Sequence, residues 1–231
     1  MTAVLHNRKI IILKNGPYRV TGDIPLMEEI VIIGDDKEPE GWATGRAFPH
    51  ATEYALCRCG ATKTHPFCDG SHLQIGFDGT ESAGHENYLS RAERTIGPEI
   101  ELTWSEDFCA VARFCHHAGG AWTLAERSDI PSCREKAVQE SIDCPSGALV
   151  AWERKSGEAI EADLASSIGL IENRQSGLSG PIWVKGGIPI ESSDGTLYEV
   201  RNRVTLCRCG ASKKKPFCDG THIDIGFKSR R

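Results

Sequence analysis

The sequence lacks an apolar run of the roughly 20 residues that a membrane-spanning helix needs. Near its start it has only the short run Ile10–Leu13, with no small-residue cleavage pattern after it. We therefore expect residues 1–13 to be an untargeted start that contains a strand, and the protein to be cytoplasmic, with no membrane association. Lys/Arg-rich stripes are missing as well, and the net charge is -5, so nucleic acid is not an expected partner.

The sequence also lacks the usual patterns of enzymes. It has no recognisable arrangement of a nucleophile with a base, and no glycine-rich loop that would bind phosphate. We therefore predict that the protein is not an enzyme.

Cysteine, in contrast, is abundant: the 231 residues include 10 cysteines. A disulfide framework would need an oxidising compartment, and the chain has no recognisable export signal. The spacing of the cysteines favours metal binding instead.

One segment of the chain occurs twice. Cys57–His72 (CRCGATKTHPFCDGSH) recurs as Cys207–His222 (CRCGASKKKPFCDGTH), and the block GPxxVxGxIP precedes the copies at Gly16 and Gly180. The repeated unit is therefore a β segment followed by a Cys/His motif. In the first copy the polar stretch 34–41 separates the two parts, and its composition predicts a loop.

The spacing inside the motif suits metal ligands. Cys57 and Cys59 are two positions apart, so both thiolates can reach one iron from an extended or turning backbone. Cys68 and His72 are four positions apart, which places them on one face of a short helix if Asp69 caps it. A Cys3His zinc site is the alternative, but zinc sites usually separate their first two cysteines by two to four residues.

The pattern C-x-C-x2-[ST]-x3-P-x-C-D-G-[ST]-H resembles the signature of the CDGSH iron-sulfur proteins, the mitoNEET-like group, and both copies match it throughout. The resemblance implies one 2Fe-2S cluster in each copy. Members with one motif form two-fold dimers, so a chain with two motifs resembles such a dimer fused into one polypeptide, with strands of both halves in a shared cap. The implied ligands are Cys57, Cys59, Cys68 and His72 for one cluster, and Cys207, Cys209, Cys218 and His222 for the other.

The segment between the copies has four cysteines of its own. Ferredoxins hold a cubane cluster with C-x2-C-x2-C and a later Cys-Pro; here Cys109, Cys115 and Cys144-Pro145 fit, while Ala112 stands at the central position. The stretch 99–152 is similar to the divergent single-cluster ferredoxin-like domains that accompany CDGSH motifs. Three cysteines suit a 3Fe-4S cluster, or a 4Fe-4S cluster with one iron bound otherwise. The alternative is a domain that has lost its cluster.

Cys133 is not expected to be the fourth ligand of this middle cluster. Ser132–Glu135 is typical of a capping box and predicts a helix that runs towards Cys144. A straight helix would separate Cys133 from Cys144 by about 16 Å, which one cluster cannot bridge. His116 and His117 are the remaining candidates for an outside ligand.

We predict an α+β protein: a β-rich CDGSH pseudo-dimer with an inserted small α+β ferredoxin-like domain. The first half is predicted at residues 1–92, the inserted domain at 93–165 and the second half at 166–231. The expected role is one-electron transfer or redox sensing, and the alternatives are storage and transfer of clusters to apo-proteins or a structural metal-binding module. The expected partner is a redox protein or an apo-protein that accepts clusters, and the chain is expected to be a monomer because it is an internal pseudo-dimer.

Overall fold

The computed structural model describes residues 8–229. Its strands, in chain order, are β1 (Lys9–Ile12), β2 (Tyr18–Thr21), β3 (Leu26–Ile33), β4 (Pro39–Ala47), β5 (Glu53–Leu56), β6 (Glu93–Ile96), β7 (Ile100–Trp104), β8 (Leu149–Glu153), β9 (Ala159–Ile160), β10 (Ser167–Asn173), β11 (Leu178–Lys185), β12 (Ile190–Glu191) and β13 (Arg203–Leu206). The α-helices are α1 (Ser71–Gln74), α2 (Tyr88–Arg91), α3 (Ala121–Glu126), α4 (Pro131–Asp143) and α5 (Thr221–Asp224), with 3-10 turns at Glu106–Phe108 and Phe114–Gly119. The predicted α+β class is confirmed.

The first strand illustrates why these segments form sheets. In β1 the side chains of Ile10 and Ile12 are fully buried, whereas those of Lys9 and Ile11 are partly exposed. This period of two is the pattern of a strand with one face on the core. The strand expected near the start of the chain is therefore present, while positions 1–7 of that predicted start lie outside the described residues. Among the described residues, no helix combines the length and the apolar character needed to cross a membrane.

The two repeats exchange strands. One sheet has the order β12-β1-β2-β5 and the other the order β13-β11-β10-β3-β4. In the first sheet β12 of the second half pairs in parallel with β1, and in the second sheet β3 of the first half pairs in parallel with β10. Each half thus completes the sheet of the other, which confirms the shared β cap expected of a fused dimer.

The main hydrophobic core also belongs to both halves. It packs Ile10, Val20 and Leu56 of the first half together with Ile168 and Leu206 of the second. Removing this apolar surface from water is the main source of folding free energy. Because the core is shared, neither half retains it alone.

The middle segment forms its own antiparallel sheet, β6-β7-β8-β9. The helices α3 and α4 pack together on this sheet, and a second small core lies between them. The strand β6 begins at Glu93 and β10 begins at Ser167. The domain boundaries at 92/93 and 165/166 stay a prediction.

Two local expectations need correction. The predicted loop at residues 34–41 is shorter, because β4 begins at Pro39 and leaves a turn closed by the Gly34 N–H donating to the Glu38 carbonyl, 2.9 Å. The predicted capping box at Ser132 is absent. The helix α4 begins two residues earlier than such a box would place it, at Pro131, with Ile130 as its N-cap. Proline's fixed φ suits the first helical position, so Pro131 starts the helix in place of a serine cap.

One buried hydroxyl joins the first half to the second Cys/His motif. The Tyr18 hydroxyl donates to the carbonyls of Cys207, 2.8 Å, and Pro216, 3.1 Å, and the ring is fully buried. Tyr18→Phe should therefore cost about 1–3 kcal/mol of unfolding free energy, because buried acceptors lose their donor. Backbone hydrogen exchange should accelerate at the Cys207 amide and stay unchanged at the Cys57 amide.

Tyr54→Phe is the matched control, since the Tyr54 hydroxyl donates to the Ile24 carbonyl within the first half, 2.7 Å. It should lower stability to a similar degree and leave the exchange of the Cys207 amide unchanged. Equal acceleration at Cys207 in both variants would contradict a specific link through Tyr18.

Candidate metal centres

Each Cys/His motif begins where a strand ends and returns to the same strand. In the first motif the Cys57 N–H donates to the Pro66 carbonyl and the Cys68 N–H donates to the Ala55 carbonyl, both at 2.9 Å. The second motif repeats this closure: Cys207 donates to Pro216 at 2.8 Å and Cys218 donates to Thr205 at 3.0 Å. The loop is thereby pinned at both ends, and its first and third cysteines stand side by side. The ends of β5 and β13 set the positions of these cysteines.

The possible ligand atoms of the first motif form two close pairs. The sulfurs of Cys57 and Cys59 are 3.7 Å apart, and the Cys68 sulfur lies 3.3 Å from Nδ1 of His72. In the second motif the corresponding distances are again 3.7 Å and 3.3 Å, for the pairs Cys207–Cys209 and Cys218–His222. In both motifs the structure therefore brings the predicted ligands together as two pairs.

This pairing fits two metal ions in each motif. Within residues 8–229, no group of three or more His, Cys, Asp or Glu side chains is arranged to hold a single metal ion. Two pairs, each with at least one cysteine sulfur, fit the soft ligands that iron-sulfur clusters select.

The turn before each short helix differs from the expectation that Asp69 caps it. Gly70, in the left-handed region at φ 87, is the N-cap of α1. Asp69 stands one residue earlier, where its carboxylate accepts the N–H groups of Lys63, 2.8 Å, and Ser71, 3.0 Å. These donors hold the pKa of Asp69 well below its usual range. Asp69 therefore clamps the two ends of the loop together, and Asp219 accepts the corresponding amides in the second motif.

A buried arginine between the first two cysteines anchors each motif. Arg58, 1% exposed, donates to the carbonyls of Gly16, 2.9 Å, and Gly79, 2.7 Å. Arg208, 4% exposed, donates to the carbonyls of Gly180, 2.6 Å, and Ile171, 2.7 Å, and to Glu172 at 2.8 Å. Buried charges persist only when they have polar partners. Each arginine therefore fixes its motif to the upstream block GPxxVxGxIP of the same half, which begins at Gly16 or Gly180.

Sequence reasoning missed these arginines. The signal was present, because Arg58 recurs as Arg208 and both acceptors, Gly16 and Gly180, recur in the upstream block. Their hydrogen bonds explain why the two separate blocks repeat together.

The two motifs also touch each other. A Cβ added to Gly60 would lie 2.6 Å from the Cys209 carbonyl oxygen, and one added to Gly210 would lie 2.5 Å from the Cys59 carbonyl oxygen. Real Cβ atoms do not approach so closely, so the glycines permit a reciprocal contact between the two loops. The two proposed sites are thus neighbours across the pseudo-two-fold axis.

The three predicted cysteines of the middle segment interact with one another. Burial raises the pKa of the Cys115 thiol to about 12, and the charges of Cys144 and Cys109 raise it further. The pKa of Cys109 is likewise raised, by burial first and also by Cys144. Cys144 therefore lies within electrostatic reach of both Cys109 and Cys115.

The other candidates in the segment lie elsewhere. Cys133 stands in the first turn of α4 and Cys144 follows its last residue, so the rise of an α-helix separates them by about 16 Å. The ring of His116 packs edge-on against Trp122, with centroids 6.3 Å apart. Nδ1 of His117 lies 3.6 Å from Asp36.

Burial raises the pKa of several of these cysteine thiols above the usual value. Burial raises the pKa of Cys59 to about 11 and raises that of Cys218 further. Metal ligation requires thiolates, so binding must release protons. Burial, and then the nearby charge of Arg208, lowers the pKa of His222 to about 4, so its ring is neutral and available as a ligand.

Two known protein families match parts of the chain. A family described as iron-binding zinc finger, CDGSH type, matches residues 15–73 and 179–223, and a family described as divergent 4Fe-4S mono-cluster matches residues 96–154. No curated protein and no solved structure matched the chain.

Arg208→Lys should destabilise the second motif, because one ammonium group cannot reproduce the planar fork that joins two carbonyls and a carboxylate. We expect a loss of about 2–3 kcal/mol in unfolding free energy, measured by denaturant titration. Arg19→Lys is the control: Arg19 pairs with Glu53 at the surface, 2.8 Å, and exposed pairs contribute less than about 1 kcal/mol. Equal losses in the two variants would show that Arg208 is not an anchor.

Proposed function

We propose that this chain is a one-electron carrier with three iron-sulfur centres. It contains two CDGSH-type iron-binding regions with a divergent 4Fe-4S mono-cluster domain between them. The family matches make it an iron-sulfur protein. The types of cluster, their ligands and the electron-transfer role are our proposal.

Each CDGSH region is proposed to hold one 2Fe-2S cluster. The paired sulfurs of the first two cysteines bind one iron, and the third cysteine with the histidine binds the other. The observation that supports this is the pairing of ligand atoms at 3.7 Å and 3.3 Å in both motifs. The proposed ligands are Cys57, Cys59, Cys68 and His72, and Cys207, Cys209, Cys218 and His222.

The middle domain is proposed to hold a 3Fe-4S cluster, or a 4Fe-4S cluster with one iron not bound by cysteine. Its ligands are Cys109, Cys115 and Cys144. The electrostatic coupling of these thiols supports the assignment, and the helix α4 keeps Cys133 at a distance. Cys133 is proposed to be a packed thiol, in keeping with its place against the small core of the domain.

Electron transfer is favoured because the three sites adjoin one another. Gly60 and Gly210 let the loops of the two CDGSH motifs touch, and the Cys109 loop of the middle domain lies against the second motif, where a Cβ on Gly220 would meet Val111. A bound cluster exchanges one electron at a time, and a contiguous set of sites favours the passage of electrons from one cluster to the next. This contact of the three loops is the observation that carries the proposal.

The histidine ligands set the expected character of the two outer sites. A neutral imidazole in place of a thiolate removes one negative charge from the ligand shell, which favours the reduced form and raises the potential, as in Rieske centres. The imidazole can also take up a proton, so retention of the cluster becomes pH-dependent.

Cluster donation is the second candidate. It is favoured by the partial exposure of Cys68 and His72, which gives an apo-protein access to the weaker ligand pair of the first motif. The partner of the carrier is proposed to be a redox protein, and that of a donor an apo-protein acceptor. In both cases the chain acts as a monomer, because strand exchange already joins its two halves.

The cofactor assignment predicts that protein purified without air is coloured and contains iron and acid-labile sulfide. Cys144→Ser should abolish the EPR signal of the middle centre, whereas Cys133→Ser, the matched control, should keep it. Zinc without sulfide would overturn the cluster assignment, and loss of the middle signal in Cys133→Ser would overturn the ligand set.

If the chain is an electron carrier, we expect the reduced protein to be reoxidised quickly and to keep its clusters. Chemically reduced protein is mixed with an oxidised electron acceptor and, separately, with an apo-ferredoxin. Electron transfer should restore the oxidised absorbance while iron and sulfide remain on the protein. Movement of intact clusters into the apo-ferredoxin at neutral pH, faster than reoxidation, would instead show that the chain donates clusters.

A further inference from the structure

The two CDGSH motifs have the same internal geometry but unequal surroundings. Cys218 and His222 of the second motif are 2% and 8% exposed. Their counterparts in the first motif, Cys68 and His72, are only half-buried. Because the local hydrogen bonds and ligand distances are alike, the difference must come from what packs against each motif.

A loop of the middle domain covers the second motif. A Cβ added to Gly220 would lie 2.4 Å from Cγ2 of Val111, whereas one added to Gly70 would meet nothing within 4 Å. Both glycines have φ 87, so the backbone is the same and only the neighbour differs. The loop that carries Val111 is the one between Cys109 and Cys115.

Side-chain contacts next to this loop also hold the middle domain against the second motif. Nζ of Lys214 donates to the Glu106 carbonyl, 3.1 Å, and lies 3.8 Å from the Asp107 carboxylate. The rings of Phe108 and Phe217 are 5.0 Å apart.

The first motif has different contacts at the equivalent positions. Thr64 replaces Lys214 in the repeat, so it cannot form the corresponding ion pair. Phe67 packs on Tyr54 of its own half, with ring centroids 6.1 Å apart. The contacts with the middle domain therefore belong to the second motif.

The chain that leaves the first motif also crosses to the second. The amides of Ser82 and Ala83 donate to the Lys215 carbonyl, at 2.8 and 2.9 Å, and the Ser82 hydroxyl donates to the Lys213 carbonyl at 2.6 Å. This segment adds another contact to the ligand loop of the second motif.

The covering loop is held in a conformation that it would not adopt alone. Val111 and Arg113 have φ 57 and φ 67, a region that costs a residue other than glycine about 1 kcal/mol or more. Arg113 forms an ion pair with Glu38 of the first half, 2.6 Å, and Phe114 stacks on Trp42, with centroids 4.9 Å apart. These contacts with the β3–β4 hairpin keep the loop in place.

We propose that the middle domain closes off the second CDGSH motif, so that the first motif alone meets an external redox protein. The second motif then communicates with the outside through the first motif, against which it packs at Gly60 and Gly210. The inference rests on the proposed function for the bound clusters. The cover itself follows from the contacts of the polypeptide.

The test follows the release of the ligand thiols in the holoprotein. Protein of measured iron and sulfide content is treated with an iron chelator, and samples taken over time are alkylated with iodoacetamide and analysed by peptide mass spectrometry. Cys68, which is half-buried, should become labelled first. Its buried counterpart Cys218 should follow at least about tenfold more slowly, because its release needs local opening of the covering loop.

A pair of glycine variants tests the cause. Gly220→Ala and Gly70→Ala introduce the same strain at φ 87, but only Gly220→Ala pushes against Val111. Gly220→Ala should bring the labelling rate of Cys218 close to that of Cys68. Gly70→Ala should leave the rate at Cys218 unchanged.

The outcomes distinguish a failure of the proposed cover over the second motif from a failure of the cluster assignment. Equal labelling of the two motifs in the unmodified holoprotein, or faster labelling of the second, would contradict the proposal that the middle domain covers the second motif, whatever the variants show. Absence of iron and sulfide before the chelator is added would overturn the cluster assignment instead. Acceleration at Cys218 in both glycine variants would show that strain, and not contact with Val111, controls its release.

Discussion

The pairing of sheet edges between the two halves is the constraint on which the rest of the structure depends. An unpaired strand edge exposes a row of backbone donors and acceptors. Here β1 is completed by β12 and β10 by β3, so each half supplies the edge that the other needs. This exchange builds one core from both halves and brings the two Cys/His motifs to the same place.

Buried cations connect this shared cap to the motifs. The guanidinium groups of Arg58 and Arg208 are almost fully buried, and backbone carbonyls of distant segments accept their hydrogen bonds. Leaving a buried charge without such partners would cost several kcal/mol. The ligand loop is therefore coupled to the strand block upstream, and Tyr18 extends this coupling across the pseudo-two-fold axis to Cys207.

The inserted domain breaks the symmetry that the repeat creates. Its loop at Val111 meets Gly220 and leaves Gly70 uncovered, and Lys214 has an acidic neighbour that its counterpart Thr64 lacks. Two motifs with nearly the same sequence thus obtain different access to solvent. Access to solvent governs proton entry and the approach of other molecules, so identical cysteine and histidine residues in the two motifs do not imply identical behaviour.

The sequence by itself determined the two Cys/His motifs and their repetition, because residue spacing and internal repetition are local properties. It failed at the caps of α1 and α4, where Gly70 and Ile130 are the N-caps in place of Asp69 and Ser132; the backbone preferences of Gly70 and Pro131 outweigh side-chain capping there. Only the tertiary structure decided which motif is covered. Burial of Cys218 depends on residues about a hundred positions away in the chain, and neither spacing nor repetition records a contact between segments that far apart.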